Sequence, residues 1–385
     1  MFPAREGSGT AWLPDITPMY AAHWQAGEWQ LMAHGNVFAQ YLYDSGERGS
    51  KQFGSVNWLM GMARRQVGSG RVGARVMMSL EPLTIRGCGY PDLLATGERC
   101  DGETIHDRQH PHDLLMELAA EYEGPITGAL RWQLYAGLAG EPALGPVSYP
   151  HRPSAMSNPL APIVHHWLDA THISFGVVTA GAYGARWKAE ASAFNGREPD
   201  EHRADLDLGP LDSFSGRLSF LPTPTLALQV SAGRLREPEL GEDGHEGVDV
   251  DRMTASAAYH RRLTGSGLWA STIAWGRNAA EGTATQALLV ETTVSVRAGH
   301  TWFARFEAGQ KDAHDLGVPE SGDSFPLRKW QAGYVRYAAG WHGLQPGVGG
   351  GLSVGVVPST LEPIYGSRIN PGFSLFATIR PLAQP

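Results

Sequence analysis

The stretch EWQLMAHGNVFAQYLY, from Glu28 to Tyr43, shows the pattern that the rest of the chain repeats. Its odd-numbered positions are mainly apolar, whereas most of its polar groups, such as His34 and Gln40, stand at even-numbered positions. An alternation of period two predicts a β-strand with one apolar and one polar face. Strands of soluble proteins usually have about 5–6 residues, and about 9–11 residues cross a bilayer at a tilt. We therefore interpret this stretch as a membrane-crossing strand.

The same alternation recurs along the chain and predicts sixteen strands. An even number of long antiparallel strands is typical of a closed transmembrane β-barrel in the bacterial outer membrane. The predicted strands are 28–43, 52–65, 70–82, 114–122, 126–138, 170–183, 186–195, 213–221, 225–235, 252–262, 268–277, 286–296, 300–310, 329–339, 347–357 and 372–380.

The connections between these strands alternate in length, with both termini on the side of the short turns. This sorting is typical of outer-membrane barrels, which have long outer loops and short periplasmic turns. A soluble propeller or sandwich is the alternative fold. The segment Asp113–Tyr122 contains good helix formers, and a helix there would change both the strand count and the alternation of loop lengths. Interpreted as a strand, it places Met116 outward and Glu117 inward. The longer predicted loops are 44–51, 83–113, 139–169, 196–212, 236–251, 278–285, 311–328 and 358–371.

Composition agrees with an all-β barrel. Glycine (48) and proline (26) together supply 74 of 385 residues, and only 18% of residues are charged. Two cysteines and a net charge of −8 argue against a disulfide-rich scaffold and a general nucleic-acid binder. We divide the chain into an N-terminal periplasmic segment or lumen plug (1–27), the barrel (28–380) and a C-terminal tail (381–385).

The first ten residues, MFPAREGSGT, lack the basic and apolar regions of a secretory signal. Since we predict the outer membrane as the location, this implies a signal that has been removed or a start assigned too late. Cys88 and Cys100 lie in one glycine-rich stretch, where they could form a disulfide in an oxidising compartment or stay as two thiols.

The polar face of the predicted strands defines a mixed-charge lumen. One interpretation is an aqueous channel that discriminates between solutes; the other is a network of ion pairs that fills the interior. In the strand 329–339 we expect Arg336 to point inward, because an arginine facing lipid at the bilayer midplane costs about 2–4 kcal/mol. The predicted lumen-lining residues are His34, Arg75, Glu81, Glu117, Arg131, Glu190, Arg217, Glu291, Arg305, Glu307 and Arg336.

Histidines concentrate where two long loops re-enter the barrel from its outer mouth. Imidazoles with nearby carboxylates are ligands that suit copper or zinc, although their spacing matches no established zinc-hydrolase or zinc-finger motif. The alternative is that these side chains hydrogen-bond and salt-bridge the two loops into a fixed inward fold. The candidate metal ligands are His106, His110, His112, Asp113, His165, His166, Asp169 and His172.

Several blocks carry a family resemblance. They include HDRQHPHD (106–113), WLPD (12–15), SLEPL (79–83), HISFG (172–176) and FNGREP (194–199). Together they resemble an uncharacterised family of bacterial conserved hypothetical proteins that look like exported outer-membrane β-barrels. Relatives occur beside heavy-metal resistance functions, which implies a metal ligand without identifying its residues.

The predicted function is a porin-like outer-membrane channel for small solutes or metal ions, with a histidine-rich outer mouth. Its expected partners are membrane lipid and the small solute or metal ion, and not nucleic acid. No Gly-x-Ser-x-Gly elbow or phosphate-binding loop stands in the strand-loop-helix context that its chemistry requires, so we predict no catalytic residue. Two alternatives stay open: a metal-dependent or lipid-acting enzyme at the mouth, and a structural barrel that anchors a partner.

Overall fold

The computed structural model describes residues 2–239, 247–265, 267–296, 299–319 and 324–384. Its short helices are α1 (Glu81–Thr84), α2 (His165–Leu168) and α3 (Glu362–Tyr365). Its strands are β1 (Met19–Ala26), β2 (Trp29–Asp44), β3 (Lys51–Val67), β4 (Gly70–Met78), β5 (Tyr90–Cys100), β6 (Glu103–Gln109), β7 (Leu115–Thr127), β8 (Leu130–Gly140), β9 (Ser174–Tyr183), β10 (Trp187–Phe194), β11 (Ser213–Thr223), β12 (Leu226–Leu235), β13 (Val250–Arg262), β14 (Leu268–Ala280), β15 (Thr283–Val296), β16 (His300–Lys311), β17 (Phe325–Tyr337), β18 (Leu344–Val356), β19 (Ile369–Pro381) and β20 (Ala383–Gln384).

Sixteen of these strands, β2 to β4 and β7 to β19, form a closed antiparallel barrel. The ring closes on β2, which pairs with β3 along one edge. Its other edge is shared, because β19 pairs with residues 37–44 and β1 pairs with residues 29–34. The predicted closed barrel of about sixteen strands is therefore confirmed.

Every predicted strand corresponds to a barrel strand, including Asp113–Tyr122, of which residues 115–122 belong to β7. Besides the orientation of Arg336, described below, three details of the prediction were wrong. A bulge opposite Met77 and Met78 turns Met116 inward, although the alternation predicted it outward. The predicted outer loop 278–285 is a two-residue turn, in which Glu281 and Gly282 have φ of 49° and 83°. The sequence also failed to predict β1, β20 and the β5–β6 hairpin.

The outer wall is apolar and carries an aromatic girdle. Each of Trp132, Trp187, Trp269 and Trp302 is exposed and lies near the start of its strand, on the side of the short turns. Exposed aromatic residues at one level of an apolar wall are typical of a barrel at the membrane interface. The described residues include no helix whose length and hydropathy suit a membrane span.

Arg336 corrects one predicted orientation. In β17 the odd-numbered residues around Arg336, namely Val335 and Tyr337, are buried, so Arg336 lies on the outward face. It stands one residue before the end of the strand, opposite His300. The cost that we assigned to outward arginine applies at the bilayer midplane and falls to about 0–1 kcal/mol near the interface, which explains why this orientation is tolerated.

Two inward loops, 79–114 and 141–173, cross the lumen and contact its wall on several sides. Loop 141–173 hydrogen-bonds to β10 through Ser192, to β12 through Ser231, to β15 through Glu291 and to β17 through Gln331. The N-terminal segment 2–18 lies at the short-turn end, where the Ile16 N–H donates to the Pro224 carbonyl in the β11–β12 turn and the Ile16 carbonyl accepts a hydrogen bond from Arg262 at the end of β13. The interior of the barrel is thus occupied by its own chain.

Candidate functional site

Three histidines from the two inward loops meet inside the barrel. His110 follows the end of β6, whereas His165 and His166 form the first turn of α2. All three side chains are buried, and one potential ligand atom of each lies within 4.8 Å of the others. We call His110, His165 and His166 the three-histidine cluster.

His165 lies at the centre of this cluster. Its ring centroid is 4.3 Å from that of His166 and 6.1 Å from those of His110, Tyr149 and His172. Burial, together with the neighbouring histidines, holds the pKa of His165 well below its usual value. Among the described residues, neither of its ring nitrogens has a hydrogen-bond partner. A neutral imidazole with an unpaired nitrogen is the form that ligates a transition metal.

His166 is polarised by an acidic neighbour. Burial favours its neutral form, but the Glu198 carboxylate, 3.1 Å from Nδ1, outweighs this effect and raises the pKa of His166. Glu198 and Glu239 also have oxygen atoms that lie within 4.8 Å of each other and of a His166 nitrogen. A carboxylate beside a ligating histidine commonly orients its ring and supplies a further ligand. Glu198 belongs to the FNGREP block, yet the sequence alone did not mark it as a site residue.

His112 and His172 lie beside the cluster but are already engaged. Nδ1 of His112 is 3.0 Å from both carboxylate oxygens of Glu81, and its Nε2 is 2.8 Å from the Tyr149 hydroxyl. Nδ1 of His172 is 2.8 Å from the carbonyl oxygen of Asp169. The contact between His112 and Tyr149 joins the two loops, which is the alternative role that the sequence left open.

The remaining candidate ligands lie elsewhere. His106 is exposed on β6, with Nδ1 3.2 Å from the carbonyl oxygen of Thr104. Asp113 is 3.6 Å from Arg203, and Asp169 accepts a 2.6 Å hydrogen bond from Arg152. The structure therefore brings three of the eight candidates into one cluster. It also buries these three side chains, and the histidine-rich outer mouth stays a prediction.

Charged residues of the lumen wall hold the loops in place. Glu291 accepts hydrogen bonds from Arg152 Nε (2.7 Å), Ser154 Oγ (2.8 Å) and Arg305 Nε (3.1 Å). Lys329 donates to Asp92 (2.5 Å) and to the Leu93 carbonyl (2.8 Å) of the β5–β6 hairpin. Because these charges are almost fully buried, each pair ties one loop to one part of the wall. Of the predicted lumen residues, those that lie inside the barrel are His34, Arg75, Glu81, Glu117, Arg131, Glu190, Arg217, Glu291, Arg305 and Glu307.

Cys88 and Cys100 are joined by a disulfide, with Cα atoms 5.6 Å apart. Cys88 precedes β5 and Cys100 ends it, so the disulfide links the two ends of this strand. The buried part of the same strand contacts the wall, since Lys311 donates to the Leu94 carbonyl (2.7 Å) and to Thr96 (2.6 Å). Disulfide and wall contacts together restrain the loop that delivers His110.

Sequence reasoning missed a second group of side chains, formed by His151, Trp58 and the methionines of β2 to β4. The His151 ring lies 4.7 Å from Trp58 and 5.4 Å from His34. Inward positions on neighbouring strands could have been aligned from the short turns, which fix hairpin register. The approach of His151 could not, because it depends on how loop 141–173 crosses the lumen.

No protein-family model and no curated protein matches this sequence. Solved outer-membrane proteins share its fold. OmpF of Salmonella typhi, solved in complex with daunomycin, is 10% identical over 93% of this chain and 100% of that chain, with a TM-score of 0.55. OmpT of Vibrio cholerae is 9% identical over 94% and 100%, with a TM-score of 0.52. The outer-membrane channel DcaP of Acinetobacter baumannii is 9% identical over 93% and 99%, with a TM-score of 0.50.

At this level of identity the comparisons concern the fold. The chain has the fold of porin-type β-barrels, and its closed barrel with an apolar outer wall supports the predicted location in the bacterial outer membrane.

Proposed function

We propose that this protein is a porin-like outer-membrane barrel that binds a divalent transition-metal ion, copper or zinc, at the three-histidine cluster and passes small solutes or metal ions when its inward loops move. The observation that carries the proposal is the meeting of His110, His165 and His166 within 4.8 Å at a buried point between two loops. Neutral imidazoles suit Zn²⁺ and Cu²⁺, and Glu198 offers an oxygen ligand beside them.

The filled lumen limits what such a channel can pass. A general diffusion pore keeps an open aqueous passage, whereas here the inward loops contact the wall through buried ion pairs. Passage therefore requires displacement of part of loops 79–114 and 141–173. Because both loops contribute ligands to the cluster, a bound metal would join them and stabilise the closed arrangement.

We extend the proposal to the N-terminal segment, which we assign as a lumen plug at the short-turn end. Arg75 donates to the Gly9 carbonyl (2.5 Å), and Arg217 donates to the Thr10 hydroxyl (2.9 Å). Thr17 lies 2.8 Å from Nδ1 of His260 on β13. Contacts of this kind with strands on several sides suit a segment that obstructs passage.

Metal binding is tested first by calorimetry of the refolded barrel with Zn²⁺ and with Cu²⁺. We expect one ion per barrel, and at least a tenfold loss of affinity in the His110→Ala/His165→Ala variant. His106→Ala is the matched control, because His106 is exposed and outside the cluster. Absence of metal binding by the parent, or equal affinity in the cluster variant, would remove the metal site.

Conductance in planar bilayers tests the channel. We expect a low conductance in the parent that rises when Lys329→Ala releases the β5–β6 hairpin from the wall. The second candidate is a structural barrel that anchors a partner, which the occupied lumen favours. That function predicts no current from the parent and none from the Lys329→Ala variant.

A further inference from the structure

One sector of the lumen, on β2, β3 and β4, is lined by thioethers. In the strand register His34 lies directly opposite Met60, and Met60 lies directly opposite Met77. Directly opposite residues of antiparallel strands have Cβ atoms about 4.5–5.5 Å apart. In the next inward row Met32 lies opposite Met62, and Met62 lies opposite Arg75.

A loop residue completes this group. His151 approaches the row from loop 141–173, with Nε2 3.4 Å from Sδ of Met77 and its ring centroid 5.4 Å from that of His34. Nε2 of His34 has no hydrogen-bond partner among the described residues. Two imidazoles and two thioethers therefore face one another inside the barrel. We call His34, Met60, Met77 and His151 the thioether cluster.

This cluster borders internal space. A cavity of about 830 Å³, including its opening, is lined by both histidines and by Met60. A second, much smaller pocket is bordered by Met77, His151 and His172. The ring centroid of His172 lies 6.1 Å from that of His165 in the three-histidine cluster. The methionines that line the larger cavity are Met19, Met32, Met60, Met62 and Met156.

Methionine is also a common filler of apolar cores, so the surroundings matter. Elsewhere the inward faces of β15, β16 and β17 carry Glu291, Arg305 and Lys329. Leucine or valine would have filled the β2–β4 sector as well, and neither would place soft sulfur beside two histidines. The concentration of thioethers around unpaired imidazole nitrogen points to a ligand set.

We propose that the thioether cluster binds a soft monovalent cation, Cu(I) or Ag(I). Thioether ligands favour Cu(I) over hard divalent ions, and imidazole accepts the same metal. The aromatic face of Trp58, whose ring lies 4.7 Å from that of His151, adds a favourable surface for a cation. This site is distinct from the three-histidine cluster and stands whether or not that cluster binds a divalent ion.

Silver(I) in chloride-free buffer is the probe, because it needs no reductant. Both cysteines form the disulfide, so no thiol competes. We expect calorimetry of the refolded barrel to show one tightly bound Ag⁺ and the Met60→Leu/Met77→Leu variant to bind it at least tenfold more weakly. Leucine keeps the volume of methionine, and folding of each variant is checked by heat-modifiable gel migration.

The matched control is Met78→Leu/Met253→Leu, since these methionines are 43% and 47% exposed on the outer wall. It should bind Ag⁺ like the parent. A second variant, His34→Gln/His151→Gln, should weaken Ag⁺ binding while Zn²⁺ binding at the three-histidine cluster is unchanged. Equal Ag⁺ affinity in the parent and the Met60→Leu/Met77→Leu variant, or no Ag⁺ binding by the folded parent, would overturn the proposal. If the folded parent bound Ag⁺ but not Zn²⁺, the result would instead count against the proposed function.

Discussion

Two sectors of the lumen wall have the same strand geometry, but one carries charged side chains and the other carries thioethers. On β15 and β16, Glu291 lies directly opposite Arg305. On β2 to β4, the equivalent row is His34, Met60 and Met77. The charged sector binds loop 141–173 through the ion pair between Glu291 and Arg152, whereas the thioether sector borders a cavity.

The difference shows how one barrel can combine a fixed plug with an accessible site. Buried ion pairs demand close, specific partners, because an unpaired buried charge is expensive. Thioether side chains are uncharged and need no ion-pair partner, and they adapt to packing space of irregular shape. The charged sector therefore decides where the loops lie, and the thioether sector leaves room where a ligand can enter.

The largest effect is expected where the charged sector is broken. Glu291→Ala removes the acceptor shared by Arg152, Ser154 and Arg305, and removing one partner of a buried ion pair costs about 3–5 kcal/mol. Urea unfolding of the barrel in lipid vesicles measures the loss. Asp251→Ala, in the exposed Arg234–Asp251 pair, is the control and should leave the unfolding midpoint unchanged. Similar losses in both variants would contradict the role of Glu291.

A smaller, pH-dependent effect is expected at Glu141, directly after β8. Burial raises its pKa from 4.5 to about 8, although Arg217 opposes the shift. The folded state keeps this proton up to about pH 8, while the unfolded chain loses it near pH 4.5. The contribution of Glu141 to stability is therefore full below about pH 4.5 and declines as the pH rises to 8.

Glu141→Gln imitates the protonated side chain and should remove this decline. We expect the free energy of unfolding of the variant to rise relative to that of the parent as the pH rises. At pH 8 the difference should be about 1–3 kcal/mol, the usual cost of an imperfectly paired buried group. Urea midpoints from pH 5 to pH 8 measure the difference. A constant offset between the two proteins would show that Glu141 does not titrate in this range.

The smallest effect on stability is expected in the thioether sector. Met60→Leu keeps the buried volume and should lower the free energy of unfolding by less than about 1.5 kcal/mol, even though it weakens Ag⁺ binding. The same urea titration applies. If Met60→Leu destabilised the barrel as much as Glu291→Ala, Met60 would be a packing residue of equal importance, and the contrast between the two sectors would fail.

The sequence predicted the wall of the barrel better than its contents. All sixteen barrel strands followed from period-two alternation, because lipid on one side and polar side chains on the other impose that pattern on every strand. The orientation of Arg336 was predicted wrongly, because the free-energy cost of an outward arginine depends on its depth in the membrane and not on the alternation of the strand. The orientation of Met116 was predicted wrongly because a bulge shifts the faces by one residue, which periodicity alone does not reveal.

The candidate site was predicted in part. The concentration of His110, His165 and His166 near two loop ends was visible in the chain, but so was His106, which lies apart from them. Which histidines meet depends on contacts between the loops and distant strands, such as those of Arg152 with Glu291 and of Lys329 with Asp92. Partners separated by more than a hundred residues leave no local pattern.

The sequence by itself determined the membrane-facing half of this protein: the number of strands, their alternation and the side on which the chain begins and ends. These properties are local, since each strand meets lipid and lumen independently of the others. Only the tertiary structure decided that the lumen is filled, that three histidines converge and that His151 joins the thioether row. Those features arise because closing the ring brings remote strands and two long loops into a single confined interior, where burial forces polar groups to find partners.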